Sequence, residues 1–328
     1  MNILITGGSG FVAPYLAAEL VSYGHNCILT ALKETIVTTS RGNARTVACD
    51  LCQEGPTRDL IRTAAPDAII HLAGFSHVGH AWDKRRDVID INMIATRNVC
   101  VGATDVNKKV VLLAISSSMV YSPPTDPGDS GGTGTGISNR LIRPLDEYSP
   151  IGLFSPYGMS KLGAECIVRT FSSDQLIGYV VRPFNHCGVG QTDEYVCTAF
   201  ARRIAATKDN GVITVGNLEA RRDFTDVRDV VRAYRLIVEH EPEQRLFVIG
   251  SGRATRIRDI LDKYISISGK RIRVETDPAL LRPADSAALI SNPSLIKQVL
   301  HWEAQIPLST TLREIYTSCT TPPQGPDH

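Results

Sequence analysis

The chain has 328 residues, with 35 lysines and arginines against 34 aspartates and glutamates, a formal net charge of +1. That length is enough for a large core and two lobes. The balanced charge gives neither the basic surplus expected of a nucleic-acid binder nor the acidic run of a solvating tail; basic residues come in short runs such as Arg202-Arg203 and Arg221-Arg222. No apolar stretch approaches the ~18 residues that argue for a membrane span, and nothing at the N-terminus reads as a signal peptide.

The first elements are an apolar strand at 2–6 (NILIT) and a helix over 11–23. Between them lies TGGSGFVA, with the spacing Gly7-x-x-Gly10-x-x-Ala13. Glycines there allow a tight turn and close approach to a pyrophosphate, which the N–H groups of the following helix, opening at Phe11 and Val12, would hold. A second strand, 26–30, ends in Thr30-Ala31-Leu32-Lys33. It lacks the carboxylate that binds a ribose 2′-hydroxyl, whereas Lys33 or Arg41 could face a 2′-phosphate. NADP(H) is therefore expected ahead of NAD(H), although either residue also reads as a solvated surface charge.

The third strand, 45–49, leads to Asp50-Leu51, where a carboxylate can accept from the adenine amino group. Helix 55–65 follows, then strand 68–72 and the segment His71-Leu72-Ala73-Gly74, beside the expected pyrophosphate and nicotinamide. His71 reads as a structural histidine rather than a catalytic one. Helix 84–104 and strand 110–115 come next. Residues 122–150, rich in Gly, Pro, Ser and Thr, read as a long exposed loop, either a flap or a plain insertion. Helix 156–173 and strand 177–182 close the first half; a helix at 227–240 and a strand at 246–249 return to the same domain.

Continuous apolar strands alternating with helices predict an α/β fold, a Rossmann-type doubly wound parallel sheet that binds ligands at the carboxyl ends of its strands. The expected organisation is a Rossmann domain over 1–182, completed by 227–249, and a smaller mixed α/β substrate lobe from 183–226 and 250–316, with a tail at 317–328.

Ser117, Tyr157 and Lys161 carry the chemistry. Tyr157 and Lys161 are four apart and share a helix face. A neighbouring ammonium lowers a tyrosine pKa from near ~10, and a serine at the end of the fifth strand can hold a substrate carbonyl. Together they make a proton donor for a developing alkoxide. No metal is expected. Cys49-x-x-Cys52 lacks a second pair, and His77-x-x-His80 has no adjacent carboxylate or cysteine ligand and reads as a polar loop beside the cofactor. The eight scattered cysteines fit reduced thiols in the cytoplasm.

The Gly7-x-x-Gly10 turn, Ser117 and Tyr157-x-x-x-Lys161 resemble the extended short-chain dehydrogenase/reductase (NAD-dependent epimerase/dehydratase) family over nearly the whole chain. RPFNHCGVGQ at 182–191, VGNLEARRDFTDVRDVVRAY at 215–234 and LLRPAD at 280–285 are similar to its GDP-sugar branch of GDP-4-keto-6-deoxy-mannose reductases and GDP-mannose 4,6-dehydratases. The resemblance implies a GDP-linked keto-deoxysugar substrate and a homodimer formed through helices 84–104 and 156–173. It implies that Ser118 and Asn185 contact substrate, that Arg222 and Arg282 bind the diphosphate, and that Asp285 holds the nucleotide ribose. Dehydratases carry an acid two positions after the catalytic Ser/Thr; here that position is Met119, so a 4-reductase is expected. A nucleotide-sugar 4-epimerase is the alternative, then a 4,6-dehydratase, and a non-catalytic NAD(P)-binding regulator last.

Overall fold

The computed structural model describes residues 1–39, 42–121, 143–152, 155–277 and 288–321. In chain order the elements up to the middle are β1 (Asn2–Thr6), α1 (Val12–Ser22), β2 (Asn26–Ala31), β3 (Ile36–Thr39), β4 (Gly42–Ala48), α2 (Glu54–Ala64), β5 (Ala68–His71), α3 (Arg85–Ile89), α4 (Ala95–Thr104), β6 (Val110–Ile115), α5 (Pro156–Phe171) and β7 (Leu176–Pro183). They are followed by β8 (Asn185–Cys187), α6 (Val196–Ala206), β9 (Val212–Val215), β10 (Arg221–Arg222), β11 (Phe224–Asp226), α7 (Val227–His240), β12 (Leu246–Ile249), β13 (Thr255–Arg256), α8 (Ile257–Ser268), β14 (Arg273–Thr276), α9 (Ser294–Leu300) and α10 (Leu308–Thr320).

One sheet runs in the order β12-β7-β6-β5-β1-β2-β4-β3. Every neighbouring pair in it is parallel except β3–β4, an antiparallel edge pair that the sequence reading did not anticipate. The parallel strands are buried on both faces. Ile3 and Ile5 point to one side, with α1, α7 and α9; Leu4 points to the other, with α2, α4 and α5. This alternation explains why the strands read as continuous apolar runs. From β1 the chain winds outward through β2 and β4, then crosses back to β5. The winding therefore reverses between β1 and β5, where such sheets bind ligands.

A second cluster, including Phe200, Ile204, Ile260, Tyr264, Leu312 and Ile315, gathers α6, α8 and α10 with the β9–β14 pair. Three expectations need correction. Helix 84–104 is interrupted by a π turn at Asp90–Ile94. Residues 294–302, expected in the smaller lobe, pack on the large sheet instead: Ile296, Leu300 and Trp302 join the α1/α7 core. Helix α10 also runs through Thr320, into the expected tail. Of the expected exposed loop at 122–150, residues 122–142 lie outside the described residues, but Leu145 and Glu147 are buried.

Trp302 is fully buried, and its Nε1 donates to the Asp229 carbonyl of α7 at 2.9 Å. The Asp229 carboxylate accepts from the backbone of Gln305 and Ile306, fixing the chain that leaves α9. Trp302→Ala is expected to cost about 3–5 kcal/mol, from lost burial and the cavity left behind. The urea unfolding midpoint measures it; an unchanged midpoint would show that the segment contributes little to the core.

Candidate active site

The turn after β1 and the segment after β5 meet at the reversal of the sheet. Gly7 has φ +71°, and a Cβ there would lie 2.7 Å from the Ala73 nitrogen. Only glycine meets both demands. Helix α1 then starts at Val12 without a side-chain cap, after the half-buried Phe11. Such an end presents N–H groups and a positive dipole to an anion. Gly10 and Ala13 complete the turn, with Gly10 N–H donating to Gly7. Asp50 lies half-buried after β4, accepting from Cys52 N–H; Leu51 sends its side chain into the core. Lys33 is exposed just past β2. Leu72, Ala73 and Gly74 are half-buried at the end of β5. These residues gather at the carboxyl ends of β1, β2, β4 and β5, where sheets of this kind bind ligands.

Ser117, Tyr157 and Lys161 are all buried. Helix α5 is set by Ser155, whose Oγ accepts from Gly158 N–H at 3.0 Å, and by Pro156 in its first turn. The helix places Tyr157 and Lys161 on its inner face, with the Lys161 Nζ 5.9 Å from the Tyr157 ring centre. Nζ donates to the Ile115 carbonyl at the end of β6 at 2.9 Å. Ser117, two residues beyond β6, accepts from Met119 N–H at 3.1 Å. Gly74 completes the junction, because a Cβ there would meet Asn92 Oδ1 at 2.9 Å and Lys161 Nζ at 3.0 Å.

Burial dominates the protonation of this set. It pushes the Tyr157 phenol up to about 12, opposed by the Ser117 hydroxyl. It pushes the Lys161 ammonium down to about 8, opposed by the Glu165 carboxylate. Desolvation is the largest cause of the Tyr157 shift, and the Lys161 ammonium is engaged by the Ile115 carbonyl. Tyr157 is a neutral O–H donor at neutral pH.

Several supporting residues escaped the sequence reading. Asn92, in the π turn, accepts from Phe75 N–H at 2.8 Å and donates to Ser160 Oγ at 2.8 Å, joining α5 to the segment after β5. Glu165 forms a fully buried two-point pair with Arg182 of β7, at 2.9 and 2.7 Å, and accepts from Ser116. A cavity of about 10 Å³, lined by Asn92, Ser116, Lys161 and Glu165 among others, lies beside this pair.

The expected substrate contacts are more dispersed. Ser118 is buried in the turn after β6, Asn185 is exposed at the start of β8, and Arg222 is half-buried on β10, donating to the Arg221 carbonyl at 2.8 Å. Arg282 and Asp285 lie outside the described residues, as does Arg41. The Cys49 and Cys52 thiols are raised above their usual pKa by burial, which keeps them protonated.

Fold and site together are those of an extended short-chain dehydrogenase/reductase. The profile of the family described as GDP-mannose 4,6 dehydratase matches residues 4–315, and the chain belongs to that family. It is 28% identical over 320 residues to a GDP-6-deoxy-D-mannose reductase of Pseudomonas aeruginosa, covering 96% of this chain and 95% of that protein. It is 26% identical over 365 residues to a UDP-glucose 4-epimerase of Caenorhabditis elegans, covering 99% of each. The structure of RMD from Pseudomonas aeruginosa complexed with NADPH superposes with a TM-score of 0.79 at 25% identity, covering 98% of this chain and 99% of that one.

His71 spans the base of the site. Thr96 Oγ1 gives its only proton to the Asn92 carbonyl, so it accepts from His71 Nε2–H. Thr6 Oγ1 accepts from Ala73 N–H and donates to His71 Nδ1 at 2.7 Å. Both ring nitrogens are occupied, the tautomer is fixed, and burial pushes the pKa down to about 3. Above pH ~6.5 the ring is neutral in the folded and unfolded chains alike. Below that, the unfolded chain takes up a proton that the folded chain refuses until about pH 3, so stability falls with pH. Between pH 6.5 and 5 this amounts to about 2 kcal/mol. Urea unfolding at the two pH values should show a smaller loss for His71→Asn than for the native chain; equal losses would contradict a neutral buried histidine.

Proposed function

We propose that this chain reduces the C4 ketone of a GDP-4-keto-6-deoxy-sugar to the corresponding GDP-deoxysugar, using NADP(H) ahead of NAD(H). The observation that carries the reading is a neutral tyrosine donor beside a serine hydroxyl and a buried lysine, with methionine where a dehydratase has its acid. When bound, the nicotinamide supplies hydride to C4. Ser117 holds the substrate oxygen, and Tyr157 donates its proton to that oxygen as charge develops. Lys161 binds the nicotinamide ribose and stabilises the phenolate that remains. Met119 can neither remove the proton next to the ketone nor help expel a 6-hydroxyl. The exposed Lys33, with no carboxylate at the end of β2, supports a 2′-phosphate.

The 28% identity to a GDP-6-deoxy-D-mannose reductase supports the substrate class. On this reading Arg222 and Arg282 bind the diphosphate as charged forks, Asn185 and Ser118 contact the sugar diphosphate, and Asp285 holds the nucleotide ribose. The chain pairs as a homodimer through α4 and α5; Met159 on α5 and Ile94 just before α4, exposed at 45% and 39%, support that face. Its free cysteines suit the cytoplasm. A nucleotide-sugar 4-epimerase is the second reading, favoured by the 26% identity to a UDP-glucose 4-epimerase. It would use the same three residues without net consumption of cofactor.

Mixing the protein with GDP-4-keto-6-deoxy-mannose and following NADPH, then NADH, by absorbance is expected to show stoichiometric oxidation, faster with NADPH. Absence of oxidation in protein that binds the nucleotide sugar would remove the reductase reading and bring the epimerase forward. Tyr157→Phe is expected to lower kcat by about 10²–10⁴-fold, the usual worth of a positioned proton donor. Cofactor affinity, measured by calorimetry, should stay nearly unchanged. Native turnover in that variant would exclude Tyr157 as the donor.

A further inference from the structure

The loop after β5 carries His77 and His80, and Glu194 lies two residues before the start of α6. The fold brings these distant segments together. His77 Nε2 lies 3.7 Å from one Glu194 carboxylate oxygen, and His80 Nε2 lies 3.8 Å from the other. The two imidazole rings are 4.2 Å apart, centre to centre. One ligand atom from each residue falls within 4.8 Å of the others. The carboxylate that the sequence spacing lacked is supplied by the tertiary structure.

From this geometry we propose that His77, His80 and Glu194 bind a divalent first-row transition metal ion of the zinc type. Two imidazoles and a carboxylate are a preferred donor set for such ions. The nitrogen–oxygen separations are too long for hydrogen bonds. They lie near the ~3.4 Å between two ligands of one tetrahedral zinc, given metal–ligand distances of about 2.1 Å. His80 N–H donates to His77 Nδ1 at 3.3 Å, which turns Nε2 toward Glu194. Metal binding at Nε2 leaves the ring proton on Nδ1 and gives up that long contact. Three protein ligands leave the remaining positions for water.

The site spans two segments that already touch. Tyr195 O–H donates to Ser76 Oγ at 3.3 Å, and the Tyr195 ring meets His77 edge-on at 6.2 Å. At the two ends of the histidine loop, Phe75 and Ala81 pack around Tyr157. A bound ion therefore clamps α6 of the smaller cluster to the loop that walls the catalytic tyrosine.

The test uses the full-length chain without a histidine tag and two probes, Co²⁺ and Zn²⁺. Titration with Co²⁺ is expected to give a visible d–d absorption saturating at one ion per chain, displaced by Zn²⁺. Zn²⁺ should raise the melting temperature of the native chain. His80→Ala and Glu194→Gln, both at exposed positions, should each weaken Co²⁺ binding at least about 10-fold and abolish the Zn²⁺ shift. His301→Ala, remote from the cluster, should retain both. Lack of stoichiometric Co²⁺ binding by the native chain overturns the proposal. So does equal binding by the Glu194→Gln or His80→Ala variant, or a loss in His301→Ala matching theirs.

Discussion

Two backbones approach each other at the centre of the sheet more closely than any side chain permits, and the arrangement of the site follows from that contact. Where the winding reverses between β1 and β5, Gly7 turns with a positive φ against the Ala73 nitrogen. Thr6, the last residue of β1, then accepts from that same Ala73 N–H and donates to His71. The strand ends are tied by backbone and side chain together. With the first turn fixed, the start of α1, Gly74 and the Lys161 ammonium are held around one crevice.

Keeping a lysine charge there is unfavourable by desolvation, and the surrounding residues offset it. The Ile115 carbonyl accepts from Lys161, and Glu165 one helical turn on supplies negative charge. Glu165 is itself buried and is satisfied by Arg182 and Ser116. Removing one member of a buried pair leaves an uncompensated charge, at about 3–5 kcal/mol. The lysine therefore depends on a chain of partners that runs from α5 across β6 to β7. On the other side Asn92 ties α5 to the segment after β5, and its position in a π turn is consistent with the habit of such turns to occur at functional sites.

Much of this was legible in the sequence because it rests on local rules. Strand 110–115 and helix 227–240 were read at their observed limits, since buried parallel strands are apolar runs and α7 has a strong amphipathic period. The Gly7 turn and the Tyr157–Lys161 spacing carry their geometry in a few residues. Other features depend on distant partners. The π turn leaves the helical pattern of 84–104 unbroken in sequence. The β3 edge strand, Ile36-Val37-Thr38-Thr39, is short and pairs with a neighbour of mixed polarity. Trp302 packs on the large domain only because the chain returns there after the smaller cluster. Glu194 meets the histidines across more than a hundred residues, which no spacing rule detects. The direction of the Tyr157 shift also required burial to be known, because an ammonium and desolvation push a phenol in opposite directions.

The segment 143–152 has a role apart from the crevice. Strand β12 ends the sheet, and its outer edge would present unpaired backbone groups to any passing strand. Glu147 reaches that edge and accepts from Val248 N–H at 2.6 Å, while Leu145 N–H donates to the Ile290 carbonyl at 2.7 Å. The chain thus plugs its own open edge with a carboxylate and a short bridge to the 288–292 segment. Burial raises the Glu147 pKa above the usual carboxylate range. The polypeptide leading into α5 thereby guards the sheet against growing into a neighbouring molecule.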